Sequence, residues 1–316
     1  MKSKTLTYFL IVTVFNSLLL AVEAPKPRSR SEVEAVLAKA PKAPSKSQLR
    51  QLNVVLVAFK KDHGENEHDY PLWQKRWAVL LGGRKAGQAK QVNLYGPPPE
   101  GKRKGLAGAP KVNVSTANGW PSKEQFETAD LIAAFCYVQY DEEKLEQLEK
   151  FLARGGGYVI LHPAVIISKE KKDLVEPAAK LMGLAWEYGY TRWRHGEMDL
   201  KIAAPDHPIC LGLPETIHVL DEPYWPLKGD RSKVTILATS AETISKDSEQ
   251  TKPEPMFYTY EHGKGRVFSC ILGHYTWTFD DPYVRILLLR GMAWAAGESP
   301  YRFDRLVLRG IELSDK

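Results

Sequence analysis

Cysteine is scarce. The chain has three in 316 residues, at Cys136, Cys210 and Cys270. That count excludes a disulfide framework and leaves room for one bridge at most. Cys136 and Cys270 fall in apolar, strand-like runs and Cys210 in a loop-like stretch, so buried free thiols are the expected state. Net charge is also scarce across most of the chain. The formal charge is +6, of which residues 1–24 carry one and residues 25–50 carry five, which leaves residues 51–316 neutral. A neutral globular part gives no argument for a nucleic-acid partner. No phosphate-binding G-x-G-x-x-G or G-x-x-x-x-G-K-[ST] occurs. The glycines of "RGGGYV" at 154–159 close a helix and enter a strand, the reverse of a phosphate loop. The compact metal spacings H-x-H and H-E-x-x-H are absent, and there is no internal repeat. What is present is globular composition, 43% hydrophobic and 26% charged.

Lys2 and Lys4 precede an apolar run, Leu6 to Leu20, and Val22-Glu23-Ala24 follows. This is the order of a secretory signal. A retained anchor is the rival reading, but the run is short of the ~20 residues a bilayer needs. No Cys follows it, which argues against a lipoprotein. The expected division is a signal at 1–24, a flexible basic linker at 25–50 with one short helix at Ser31–Lys39, one α/β domain at 51–300, and a C-terminal tail at 301–316. The protein is expected to be exported, periplasmic or secreted, with no stable membrane anchor. Nothing in the sequence marks an oligomer.

Asn53–Phe59, "NVVLVAF", is continuously apolar and reads as a strand buried on both faces. Pro71–Leu81 has helical spacing behind a proline. Further strands are expected at Gln91–Tyr95, Lys111–Ala117, Leu131–Tyr137 and Tyr158–Leu161. Asp141–Arg154 is an amphipathic helix stopped by Gly155, and Leu174–Gly183 and Asp281–Ala296 are helices. Strands near Asp199–Ala203, Ile217–Leu220, Val234–Thr239, Met256–Glu261 and Arg266–Leu272 make the C-terminal half strand-rich. The alternation predicts a mostly parallel sheet with helices on both faces.

In such sheets ligands bind beyond the carboxyl ends of the strands. The turns expected there hold His63, Glu67 and His68, then Trp120, His162, Trp193 with His195, Asp221 with Glu222 and Tyr224, and His274. Aromatic rings stack on the apolar faces of sugars, while imidazole and carboxylate groups bond hydroxyls and move protons. The mixture therefore fits a small carbohydrate ligand. His162, Glu222 and His274 are the candidate catalytic groups. His63, Glu67, His68, Trp120, Trp193, His195 and Tyr224 are the candidate substrate contacts. No cofactor is certain from the sequence. A divalent metal such as Zn²⁺ would suit His162, His274 and Glu222, with His68 a further chemically suitable ligand. As a residue at a strand end, His162 is expected to face solvent and to matter little for stability.

"HGENEHDY" after a first strand, "NGWP" before "FETADLI", "GGGYVILHPA", "HPICLGL…IHVLDEPYW" and the closing "YEHGKGRVFSCILGHYTWTFDDPYVRILLLRGMAWAAGE" occur in that order. Over about 53–297 the chain resembles the ThuA-like family, named for trehalose utilisation, and its exported planctomycete-type members. The resemblance implies a flavodoxin-like fold akin to class I glutamine amidotransferases and a role in the breakdown of glycosides or keto-sugars. Those amidotransferases place a nucleophilic Cys at the turn after a strand like Tyr158–Leu161. Here the turn is "LHPAV", with His162 and no Cys, so chemistry through a thiolate is not expected. The expected function is acid/base or metal-assisted carbohydrate chemistry, by a hydrolase, lyase or isomerase. A non-catalytic sugar-binding protein of the same fold is the alternative. The leader generates the first prediction: protein produced in an exporting host begins at Pro25 and is soluble. Mass spectrometry of the N-terminus checks this, and an intact Met1 in membrane-extracted protein would refute it.

Overall fold

Strands with no polar face demand cover on both sides, and the chain supplies it. The computed structural model describes residues 23–84 and 106–314. Most of the expected leader and the expected strand at Gln91–Tyr95 lie outside the described residues. Nine strands form one sheet: β1 (Leu52–Ala58), β2 (Val112–Asn118), β3 (Leu131–Ala134), β4 (Gly157–Leu161), β5 (Gly196–Ile202), β6 (Thr216–Asp221), β7 (Thr235–Thr243), β8 (Thr251–His262) and β9 (Gly265–Cys270). Their spatial order is β2-β1-β3-β4-β9-β8-β7-β5-β6. The pairings from β2 through β9 are parallel, and those from β9 through β6 are antiparallel. The fold is therefore α/β, with a flavodoxin-like parallel half and an antiparallel extension built from the strand-rich C-terminal sequence.

The helices are α1 (Arg30–Ala38), α2 (Tyr70–Gly82), α3 (Lys123–Thr128), α4 (Glu142–Ala153), α5 (Val175–Met182) and α6 (Pro282–Ala295). Capping follows the sequence signals. Asp69, Ser122, Asp141 and Asp281 each accept a first-turn backbone N–H, and Pro stands at the start of α2 and α6. On β9, a side chain at Gly265 would strike Leu152 of α4, while Phe268 presses on Gly291 of α6. Positions 265 and 268 point to opposite faces of a strand, so α4 and α6 cover opposite faces of the sheet. At Gly291 a Cβ would lie 2.4 Å from the Phe268 ring, which is why α6 can sit so close.

Two terminal segments differ from expectation. Composition makes 25–50 read as a flexible linker, yet α1 docks through buried Val33 and Val36. Ahead of α1, Arg28 pairs with Asp281 at 2.7 Å, covers the Tyr283 ring and donates to the His218 carbonyl. The Lys- and Pro-rich composition hid two valines at helical spacing and one arginine with three partners. Residues 301–314 of the expected C-terminal tail are likewise packed. A 3₁₀ segment, Pro300–Leu306, packs against α6 with Phe303, Leu306 and Val307 buried. Its Arg302 pairs with Glu298 and donates to the carbonyls of Arg50 and Lys111. Among the described residues no helix is long and apolar enough to cross a membrane.

Arg290 of α6 is fully buried. It pairs with Asp304 through Nε and Nη2 at 3.0 and 2.9 Å and donates to the Leu211 carbonyl at 2.6 Å. Removing one member of a buried pair leaves the other charge unpaired. Arg290→Met is therefore expected to lower the unfolding free energy by about 3–5 kcal/mol. Urea denaturation checks this, and a loss of less than about 1 kcal/mol would show that the pair carries no such weight.

Candidate functional site

The parallel strands deliver their C-terminal turns to one edge, and the site is assembled there. His162 follows β4 directly and opens a 3₁₀ turn. His68 closes the loop after β1, and its N–H donates to the His274 carbonyl at 2.8 Å. A bridge between Glu67 and Tyr275, and a bond from Thr276 N–H to Asn66, zip that loop to the segment after β9. Glu222 follows β6, the far edge of the sheet. The sheet coils enough to return that edge to the parallel strand ends. The Asp221 carboxylate fixes the return, accepting the N–H groups of Gly273 and His274 at 3.0 and 2.9 Å, the Glu222 N–H, and the Thr278 hydroxyl.

His68 and His162 both have positive φ, 40° and 48°. That is a strained conformation for a non-glycine residue, and such strain clusters at functional sites. Gly273 before His274 has φ 137°, and a Cβ there would lie 2.9 Å from Phe279 and 3.3 Å from the Cβ of His162. Only glycine lets that backbone pass His162 so closely.

Four ligand-type atoms converge. His68 Nε2 lies 3.0 Å from His162 Nε2 and 3.0 Å from His274 Nδ1. Glu222 Oε2 lies 3.1 Å from both His162 Nε2 and His274 Nδ1. All four atoms fall within 4.8 Å of one another, and all four residues are buried. Tetrahedral ligands at about 2.0–2.1 Å from a zinc ion would stand roughly 3.3 Å apart, so the spacing fits a single cation.

The remaining ring nitrogens support the same fit. His162 Nδ1 lies 2.8 Å from the Ile271 carbonyl, which can only accept, so Nδ1 carries a proton. His68 Nδ1 faces the Asp62 carboxylate at 3.1 Å, which turns its Nε2 inward. The two Nε2 atoms face each other across 3.0 Å, and a cation at the centre would engage both. His274 Nε2 is buried without a hydrogen bond and has Glu67 Oε1 at 3.6 Å. The carbonyl behind His162 and the carboxylate behind His68 are the kind of outer-shell partners that orient metal-bound imidazoles.

The electrostatics agree. Burial, then the neighbouring His162 and His274, push the His68 imidazole far below its usual range, so it stays neutral. Burial opposes the charge of Glu222, but the bonds and charges of His162 and His274 outweigh it and hold the carboxyl well below the carboxylate range. Burial also opposes a charge on His274, and the bond to Glu222 nevertheless lifts it. The Tyr224 phenol, 2.8 Å from His162 Nε2 and stacked on that ring, is raised by burial and by Glu222, so it keeps its proton.

Thus the structure brings His162, Glu222 and His274 together with His68 and Tyr224. His195 joins at the outer side, its Nε2 3.3 Å from Glu222 Oε1 and its Nδ1 2.9 Å from the Tyr275 hydroxyl. Trp193 is opposite Tyr224 in a two-residue ribbon, 55% exposed, with its ring edge toward His195. His63 packs on His68 and bonds Asp62. Trp120 does not join. Its ring packs against Phe126 and Tyr140 and its N–H donates to Gln147 of α4, so it caps the helix layer instead. His162 is not at a solvent-facing edge but fully buried, because β6 and the loop after β1 close over it. Sequence reasoning missed Asp62 and Tyr70 behind His68 and gave Asp221 no role in the site. Asp62 stands beside His63 in the same loop, and that adjacency was the available signal.

A family model described as ThuA, trehalose utilisation, matches residues 102–295. A ThuA-like protein from Parabacteroides merdae superposes with a TM-score of 0.54 at 18% identity, covering 79% of this chain and 92% of its own. One from Bacteroides uniformis gives 0.57 at 15%, covering 83% and 98%. At such identities the likeness concerns the fold. No curated protein matches the chain.

All three cysteines are free and buried. Burial pushes the Cys136 and Cys210 thiols up to about 12 and Cys270 well above its ordinary value. Native protein is therefore expected to resist a maleimide at neutral pH, with all three thiols reacting after unfolding. Rapid labelling of Cys136 in folded protein, read by mass spectrometry, would contradict this.

Proposed function

Because the chain belongs to the ThuA family, trehalose utilisation, we propose that it is a metal-dependent enzyme of carbohydrate breakdown, acting on a glycoside or keto-sugar. The observation that carries the reading is the convergence of four buried ligand atoms, from His68, His162, His274 and Glu222, within 4.8 Å of one another. These residues would hold a divalent cation, Zn²⁺ or another first-row metal that accepts imidazole and carboxylate. Such an ion supplies Lewis-acid polarisation of a carbonyl or hydroxyl oxygen.

The chain's own groups do the rest. Tyr224 retains its phenolic proton and offers it beside His162, where a sugar oxygen can receive it. His195 is the part-exposed imidazole of the site, and its Nε2 lies against the Glu222 oxygen that does not face the other histidines. That places it to pass a proton between a sugar hydroxyl and the interior. Tyr275 holds the other side of the His195 ring, and Trp193 offers an exposed indole face for the apolar side of a sugar. No thiol takes part, since the turn that would bear a nucleophile carries His162. The leader sequence supports work outside the cytoplasm.

A second reading has its own observation. All four ligands are buried and belong to the protein, the pattern of a closed structural metal site. On that reading the protein binds sugar at the Trp193 rim without turning it over.

One experiment separates the readings. Purified protein is expected to carry about one equivalent of divalent metal by plasma mass spectrometry. His162→Ala and Glu222→Ala are expected to lose it and to lower turnover on a panel of glycosides and keto-glycosides by at least about 10²-fold. Metal-free, folded protein with undiminished turnover would overturn the metal reading. Metal binding without turnover on any member would favour the closed site.

A further inference from the structure

His68 is not the only residue of its loop that reaches the cluster. Glu67 precedes it, and Glu67 Oε1 lies 3.6 Å from His274 Nε2. That nitrogen is buried and has no hydrogen-bond partner among the described residues. The other nitrogen of the ring, Nδ1, belongs to the cluster, 3.0 Å from His68 Nε2 and 3.1 Å from Glu222 Oε2. A neutral imidazole has a single N–H. A cation taken by Nδ1 therefore obliges Nε2 to carry the proton. Metal entry thus fixes a donor at a buried position, and a buried donor without an acceptor is costly.

The other polar groups around the ring are engaged. Asp62 faces the Nδ1 atoms of His63 and His68 and the Tyr70 hydroxyl. His195 turns Nδ1 to the Tyr275 hydroxyl and Nε2 to Glu222. Glu67 is 30% exposed, and its Oε2 accepts the Gly64 N–H at 3.2 Å, while Oε1 is turned to His274. Its main chain is already held beside the residue it would serve. The Glu67–Tyr275 bridge, the Lys61 ammonium on the Glu67 carbonyl and the bond from the His68 N–H to the His274 carbonyl all act there. Only the side chain has to turn, by roughly half an ångström, to bring Oε1 within N–H···O bonding distance.

We propose that Glu67 closes onto His274 Nε2 when a divalent cation enters the cluster, as a positioning residue for the metal rather than a contact to the sugar. This rests on the metal reading of the cluster. A carboxylate behind a metal-bound imidazole fixes the orientation of the ring and raises its basicity. Two consecutive residues of one loop then serve two different histidine ligands, His68 by its own ring and Glu67 by the bond behind His274. Cation binding would fasten the loop between β1 and α2 at both residues, and His63, whose ring packs 3.9 Å from that of His68, would be fixed with them.

Titration of metal-free protein with Zn²⁺ against a competing chelator, with no sugar present, tests this. Glu67→Ala is expected to weaken Zn²⁺ binding by about 10–100-fold. Glu67→Gln, whose amide oxygen still accepts, is expected to recover part of that loss. Glu65→Ala, in the same loop, is expected to leave the affinity unchanged. Amide hydrogen exchange gives a second readout: Zn²⁺ protects residues 60–69 in the wild type and protects them less in Glu67→Ala. Circular dichroism of the metal-free forms shows that the variants fold alike. Should the alanine variant not fold, Glu67→Gln decides alone, with a severalfold loss expected and wild-type affinity overturning the proposal. An affinity within about twofold of wild type in Glu67→Ala, well short of an outer-shell loss, would overturn the role of Glu67 and leave the metal reading in place. So would no recovery in Glu67→Gln, an equal loss in Glu65→Ala, or undiminished protection in Glu67→Ala. Wild-type protein that takes up neither Zn²⁺ nor another first-row divalent ion would remove the metal reading and this inference with it.

Discussion

The buried carboxylate of Asp221 is the contact on which the site depends. It ends β6 at one margin of the sheet and binds the N–H groups of Gly273 and His274, which follow β9 in the middle of it. It also takes the N–H of Glu222 and the hydroxyl of Thr278. Four donors around one carboxylate satisfy a buried charge that would otherwise be costly. The same four bonds set the distance between Glu222 and His274. The antiparallel half of the sheet thus contributes more than area: its coiling brings a carboxylate to histidines supplied by the parallel half.

The price of that convergence is visible in the backbone. Two of the four candidate ligands, His68 and His162, sit at positive φ, a conformation that stores of order 1–3 kcal/mol per residue. Both also turn Nε2 toward one point. Proton sharing settles part of this. Tyr224 can donate to His162 and His274 can donate to Glu222, but His68 Nε2 still faces His162 Nε2. On the proposed metal reading, a cation at the centre would give both Nε2 atoms a shared partner.

Legibility in the sequence divided along physical lines. Strands buried on both faces are written as unbroken apolar runs, so "NVVLVAF" and "GGGYVIL" located β1 and β4 without ambiguity, and Asp-Asp-Pro located the start of α6. The rule that ligands gather at strand C-termini then put His68, His162, Glu222 and His274 among a short set of candidates. Their convergence was not legible, since it depends on how far the sheet coils and on a loop zipped by backbone bonds. Trp120 shows the limit of the rule, for it also follows a strand end and yet faces α4. The docking of α1 was hidden for another reason. Two buried valines in a lysine- and proline-rich stretch leave the average composition of a linker, although they suffice to seat a short helix.

The turn after β4 carries His162 and no thiol, and that choice of residue alters what the surrounding fold has to provide. A thiolate needs one activating base and a donor pair, all of which can come from neighbouring turns of a parallel sheet. A multi-histidine set needs ligands from directions that one row of parallel turns cannot supply. Here the loop after β1 folds back to give His68, and the antiparallel extension curls over to give Glu222. None of the candidate ligands shares a loop with another. Any bound metal would then join the turns after β1, β4, β6 and β9, and its binding free energy would act on the sheet as a whole. The extension beyond β9 is in this sense part of the site, because without its curl the fourth ligand would lie at the opposite margin of the sheet.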